Sequence, residues 1–276
     1  VFEAAQAQFG SFEARNLVGL VYCACKLEYS VEELPAGWVR DWSGALVGVM
    51  RNAEAQAIAN LAYALSKIGA SRDVLVEGFW AELTREGISK VSTFTPQDCS
   101  NLAYAIGVLG IPSCELTAGF WTDLTRASVS KLDSFNAQNC ANFAYAIGVL
   151  GIPSRELCDG FWTDLTRAAV SKLESFNAQA CANLAYAIGV LGIPLRELCA
   201  GFWADLTTAT VAKLDSFNAQ DCANLAYAIG ILGIPSRELC DGFWTDLTRA
   251  AGAKLDSFKP QELSNTAYAL GVLGIP

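Results

Sequence analysis

Seven tyrosines, Tyr22, Tyr63, Tyr104, Tyr145, Tyr186, Tyr227 and Tyr268, stand 41 residues apart along the whole chain. A second column, Asn60, Asn101, Asn142, Asn183, Asn224 and Asn265, keeps the same step, with Gly19 in its first place. Self-similarity at a period of roughly 20–50 residues marks a repeat array, in which each supersecondary unit buries its apolar face on its neighbours. Even the divergent string "FEARNLVGLVYCACKL" aligns without a gap on "FNAQNCANFAYAIGVL". The period therefore outranks every local propensity in deciding what this chain folds into.

Each unit reads as two helices. Helix A starts at an Asn N-cap such as Asn136, or at Thr95 with Pro96 first in the helix and Asp98 in its first turn. It stops at Gly151, with Pro153 just beyond. Cys140, Phe143, Ala144, Ile147 and Leu150 make its apolar side, while Gln138, Asn142, Tyr145 and Val149 line up opposite. Helix B is expected from Ser154, with Glu156 in its first turn, to about Leu173. Its apolar face is Leu157, Phe161, Trp162, Leu165 and Ala169, and its polar face is Asp159, Thr163, Thr166 and Arg167. Gly160 recurs as Gly37, Gly78, Gly119, Gly201 and Gly242 inside that expected helix, which suggests that a neighbour packs closely there.

These units imply an all-α fold, an α-solenoid of tandem 41-residue helical hairpins forming a single array over residues 1–276. The hairpins at both ends are incomplete, so the ends are expected to be covered by further repeats or by partner chains.

Charge and cysteine usage narrow the function classes. The chain has 28 acidic and 19 basic residues and no histidine. Histidine-based nucleophilic catalysis, histidine-ligated metals and histidine pH switches are thereby excluded. No phosphate-binding glycine loop or nucleophile–base pair is present, so no catalytic residue, cofactor or metal site is assigned. Ten cysteines fall largely on repeat positions: Cys99, Cys140, Cys181 and Cys222 share a column with Leu17, Ile58 and Leu263, which marks a packing position. The uncharged stretch from Ser134 to Ser154 is broken by amides and by Gly-Ile-Pro, and does not read as a transmembrane segment.

Four columns could bind something. Asn60, Asn101, Asn142, Asn183, Asn224 and Asn265 could form a ladder of amide donors and acceptors, with Tyr63, Tyr104, Tyr145, Tyr186, Tyr227 and Tyr268 beside them. The same Asn residues could instead bond neighbouring helix backbone, with the tyrosines filling the seams, and the lack of charge favours that reading. Three places before each Asn, the residue varies: Asn16, Ala57, Asp98, Asn139, Ala180, Asp221 and Glu262. That is the pattern of a recognition code, and also of drift at an exposed first-turn site. On helix B, Asp41, Glu82, Asp123, Asp164, Asp205 and Asp246 give one carboxylate per unit, mostly with an Arg three places on.

The strings "FTPQDCSNLAYAIGVLG", "FKPQELSNTAYALGVLG" and "NLAYALSKIG" resemble the octotricopeptide repeat, and the tyrosine also resembles the related heptatricopeptide repeats of RAP-domain proteins. The resemblance covers every unit. It implies an α-solenoid working in chloroplasts or mitochondria on RNA, or built into a mitochondrial ribosome. The motif's Trp is Tyr throughout, its Pro survives only as Pro96 and Pro260, and its basic residue only as Lys26 and Lys67. An acidic chain with a neutral helix-A face is expected to be a non-catalytic scaffold for protein subunits of a larger, organellar assembly. The alternative is an organellar RNA-binding protein for RNA maturation or the mitoribosome.

Overall fold

The computed structural model describes residues 1–275. Those residues form fourteen α-helices, with no strand among them, in an all-α helical-repeat fold. The A helices are α2 (Ala14–Lys26), α4 (Ala55–Ile68), α6 (Pro96–Val108), α8 (Ala137–Val149), α10 (Ala178–Val190), α12 (Ala219–Leu232) and α14 (Pro260–Leu273). The B helices are α1 (Phe2–Gln6), α3 (Trp38–Val49), α5 (Phe79–Ser89), α7 (Phe120–Val129), α9 (Phe161–Val170), α11 (Phe202–Val211) and α13 (Phe243–Gly252). The chain divides into two compact units, Val1–Ser128 with Glu156–Cys158, and Val129–Arg155 with the chain from Asp159 onward. In the first, α2, α4 and α6 pack as consecutive neighbours; in the second, α8, α10, α12 and α14 do.

Helix A begins where its residues dictate. The Asn136 side chain accepts from the Asn139 N–H at 2.8 Å, and Asn139 returns the bond to the Asn136 N–H at 3.1 Å. Thr95, Pro96 and Asp98 build the same capping box in α6, where Asp98 accepts from the Thr95 N–H at 2.8 Å. Such reciprocal caps satisfy two orphan donors of the first turn. The apolar side is dry: Cys140, Phe143, Ala144 and Ile147 are all fully buried.

The seams between A helices are unusually close in the second unit. A Cβ on Gly148 would lie 2.7 Å from Ala187 Cα, one on Gly189 2.6 Å from Ala228 Cα, and one on Gly230 2.7 Å from Ala269 Cα. Glycine on one helix and alanine on the next thus let the two backbones meet with no side chain between them.

Helix B departs from the expected span. Residues Ser154–Glu156 form a 3₁₀ turn, α9 starts only at Phe161, and a second 3₁₀ turn covers Leu173–Ser175. In the equivalent unit Leu198 is extended, at φ −97° and ψ 161°, and breaks the helix before Gly201. Gly160 is an N-cap in left-handed geometry at φ 73°, and a Cβ there would meet only Asp164 Oδ2, at 4.0 Å. The recurring glycine thus serves backbone conformation and not close packing; the close-packed glycines are those of helix A.

Thr166, expected on the polar face, is fully buried. Its hydroxyl donates to Trp162 O at 2.7 Å and accepts the Cys199 N–H of the next repeat at 3.0 Å. Within the two units the same bond runs from Val76 to Ser43, Thr117 to Thr84, Cys158 to Thr125 and Cys240 to Thr207. The hydroxyl one turn earlier adds a second link, Thr163 donating to Glu197 O at 2.7 Å. Thr166→Val keeps the shape but leaves a half-buried N–H without its acceptor. It should cost the second unit about 1 kcal/mol, the lower end of the range for an orphaned donor, read by urea unfolding.

Candidate functional site

The stripe opposite the apolar side of helix A carries the candidate columns. In the second unit it is built of four rows across α8, α10, α12 and α14. Gln138, Gln179, Gln220 and Gln261 are exposed; Asn142, Asn183, Asn224 and Asn265 are half-buried; the tyrosines follow, and then Val149, Val190, Ile231 and Val272. Helical spacing of three, four and seven places puts these rows on one face. The side-chain amides of Asn142, Asn183, Asn224 and Asn265 make no hydrogen bond to another protein group among the described residues, and neither do those of Asn60 and Asn101. The expected bonds from this column to neighbouring helix backbone are therefore not made.

Between α8 and α10 the stripe opens into a cavity of about 340 Å³. Its walls are Asn136, Gln138, Asn142, Ser175, Asn177, Gln179 and Asn183, and its floor is Ala137, Ala141 and Ala180. This is a site of neutral donors and acceptors with small residues beneath, suited to a ligand that hydrogen-bonds without carrying charge.

The tyrosines lie over the seams and stay partly open to solvent. Tyr186 and Tyr227 are half-buried, while Tyr268 is 50% exposed and its ring centroid lies 6.0 Å from that of Tyr227. In the first unit Tyr63 and Tyr104 stand 6.4 Å apart, and Lys67 Nζ lies 5.1 Å and 5.7 Å from their two centroids. Lys26 lies 5.4 Å from the Tyr22 ring. The first unit thus carries cation–π pairs where the second carries Val and Ile.

The variable column has a different occupation. Asp98, Asn139 and Asp221 are buried and turned back onto their own helix starts as capping partners. Glu262 caps the Lys259 N–H at 2.8 Å. Ala180 is buried and leaves its box half-made, Asn177 accepting from its N–H at 2.8 Å; Asn16 is exposed and Ala57 half-buried. Variation at this column follows what can cap or be spared at a first turn. Burial pushes the Asp221 carboxyl above its ordinary value, against the lowering effect of the Asn218 N–H. A raised folded-state pKa means stability that is full below the unfolded value and lost as pH rises through the folded one. Asp221→Asn keeps the acceptor, as Asn139 shows. Its stability relative to the parent should therefore grow as pH rises through the carboxylate range, measured by thermal unfolding at several pH values.

The remaining charges are largely engaged elsewhere. Arg126, Arg167 and Arg249 pair with Asp123, Asp164 and Asp246 at 2.6–2.9 Å, whereas Thr208 leaves Asp205 without that partner. Asp41 accepts from Gln6 at 2.7 Å instead. In the second unit the ammonium groups of Lys172, Lys213 and Lys254 donate to the carbonyls of Leu132, Leu173 and Leu214 in the preceding repeat. Sequence inspection missed this use of lysine; its only signal was that Lys131, Lys172, Lys213 and Lys254 keep the repeat step.

Cys99, Cys140, Cys181 and Cys222 are fully buried, and burial pushes the thiols of Cys140, Cys181 and Cys222 up to about 11. They pack as small hydrophobes. No group of three potential ligands able to hold a metal occurs among the described residues. No helix among them is long and apolar enough to cross a membrane. Neither a protein-family model nor a curated protein matches the chain.

Proposed function

We propose that this chain is a non-catalytic helical-repeat scaffold that binds protein partners through the helix-A stripe, within a larger assembly. The observation that carries this reading is the column of half-buried, unpaired amides on a face that carries no charge across the second unit. Half-buried amides with open hydrogen-bonding capacity gain from a partner that supplies donors and acceptors, and a polypeptide backbone supplies both. Nucleic acid makes a different demand, because most of its affinity comes from Lys and Arg at phosphates. Lys172, Lys213 and Lys254 are committed to backbone carbonyls, which removes them from that role.

The test is crosslinking and affinity capture of the tagged chain from its own cells, with and without ribonuclease. Protein partners that survive ribonuclease should be recovered, and should be lost when Asn142, Asn183 and Asn224 are replaced by Asp. Recovery of the chain alone, or of proteins that all leave with the RNA, would sink the reading.

RNA binding is the second reading. The resemblance to organellar RNA-binding repeats supports it, as do Lys26 and Lys67 over the Tyr22, Tyr63 and Tyr104 rings. It requires affinity that falls steeply with salt, and binding that is flat with salt would remove it. An organellar setting rests on that resemblance alone, and imaging of the tagged full-length protein tests it.

A further inference from the structure

We propose that the stripe of the second unit holds one extended, uncharged polypeptide segment at two residues per repeat. The Asn amides clasp its backbone, and the tyrosines receive every second side chain. This deepens the scaffold reading and rests on it.

Each Asn side chain offers one carbonyl and one NH₂ group, the complement of one backbone N–H and one C=O. In an extended strand both groups of every second residue face the same edge, so one amide per two residues satisfies that edge completely. Two residues of strand advance about 6.4–6.8 Å. Across the α12–α14 seam the Tyr227 and Tyr268 rings stand 6.0 Å apart, close to that step. The short pitch at this seam has a structural cause, because Gly230 against Ala269 leaves no room for a Cβ between α12 and α14, and Gly189 against Ala228 makes the same close contact between α10 and α12.

The floor and the rims agree. Ala141, Ala182 and Ala223, each one place before an Asn, are buried and short, so a ligand backbone can come down to the amides. Val149 and Ile231 form an exposed apolar rim, 45% and 42% accessible, beside the tyrosine row. The opposite rim is the exposed Gln row. No charged residue stands in any of these rows, so a charged ligand side chain would lose water and find no partner. The segment is therefore poor in Asp, Glu, Lys and Arg, and lacks proline where an amide needs an N–H.

Selection of a random decapeptide display library on the purified chain, followed by synthesis of the tightest peptide, supplies the probe. A scan of single backbone N-methylations should weaken binding at alternate positions only. The triple variant Asn142→Ala, Asn183→Ala, Asn224→Ala should weaken it at least about tenfold, since several hydrogen bonds are lost together. Unchanged circular dichroism and urea midpoint would show that the variant folds. The inference is overturned if no charge-poor peptide is selected, or if N-methylation shows no two-residue period. It is also overturned if the triple variant binds the peptide unchanged, or if it loses binding to decauridylate in place of peptide. A peptide that the triple variant releases but whose N-methylation scan shows no two-residue period overturns it while leaving the scaffold reading in place.

Discussion

Gly189→Ala should destabilise the second unit by about 2–3 kcal/mol, whereas Gly271→Ala, the same change at the same repeat position, should stabilise it by about 0.5–1 kcal/mol. Helix propensity favours alanine by about 1 kcal/mol at both sites. What differs is the neighbour. At Gly189 the new Cβ would sit 2.6 Å from Ala228 Cα and 2.7 Å from its Cβ, while at Gly271 nothing lies within 4 Å. The obstacle at Gly189 is backbone, so no rotamer change relieves it and α10 must separate from α12. Urea unfolding of both variants beside the parent chain decides the matter, and equal effects at the two sites would refute the close-seam account.

The repeats also supply a substitution series for the core. Phe143 is fully buried, with its ring centroid 6.2 Å from that of Phe135 and 5.6 Å from that of Phe161. The corresponding places in α10 and α12 hold Leu184 and Leu225, also fully buried. Phe143→Ala should cost about 3–5 kcal/mol, because it removes ring contacts and leaves a cavity that fixed helices cannot collapse. Phe143→Leu installs the residue that two neighbouring repeats already pack, and should cost less than about 1.5 kcal/mol. Thermal and urea unfolding of the pair should give that order, and equal losses would mean that the seams are not equivalent.

Much of this architecture is legible in the residues. The tyrosine and asparagine columns give the repeat, and the caps at Asn136 and at Thr95-Pro96 give the start of helix A to the residue, because capping is local chemistry. The start of helix B was not legible. Its break at Leu198 accompanies a bond from the Cys199 N–H to Thr166, 33 residues back, which no local pattern contains. The same bond explains why Thr166, polar by composition, is buried. Recurring glycines were visible, but a sequence does not separate a glycine kept for positive φ, such as Gly160, from one kept for close approach, such as Gly148. At the candidate site the residues and their shared face could be read, whereas the open hydrogen bonds of the Asn column depend on where the next helix lies.

The threonine seam has a consequence for how such a chain can change its length. Thr166 recognises nothing individual in the repeat that follows; it accepts a backbone N–H, which every residue but proline owns. An in-frame duplication or deletion of 41 codons would present the same N–H to the same hydroxyl at each new junction. The glycine–alanine contact would re-form in the same way wherever both residues are copied. The joint is therefore generic, and copying errors in the gene can add or remove whole rungs of the amide ladder without redesigning any interface.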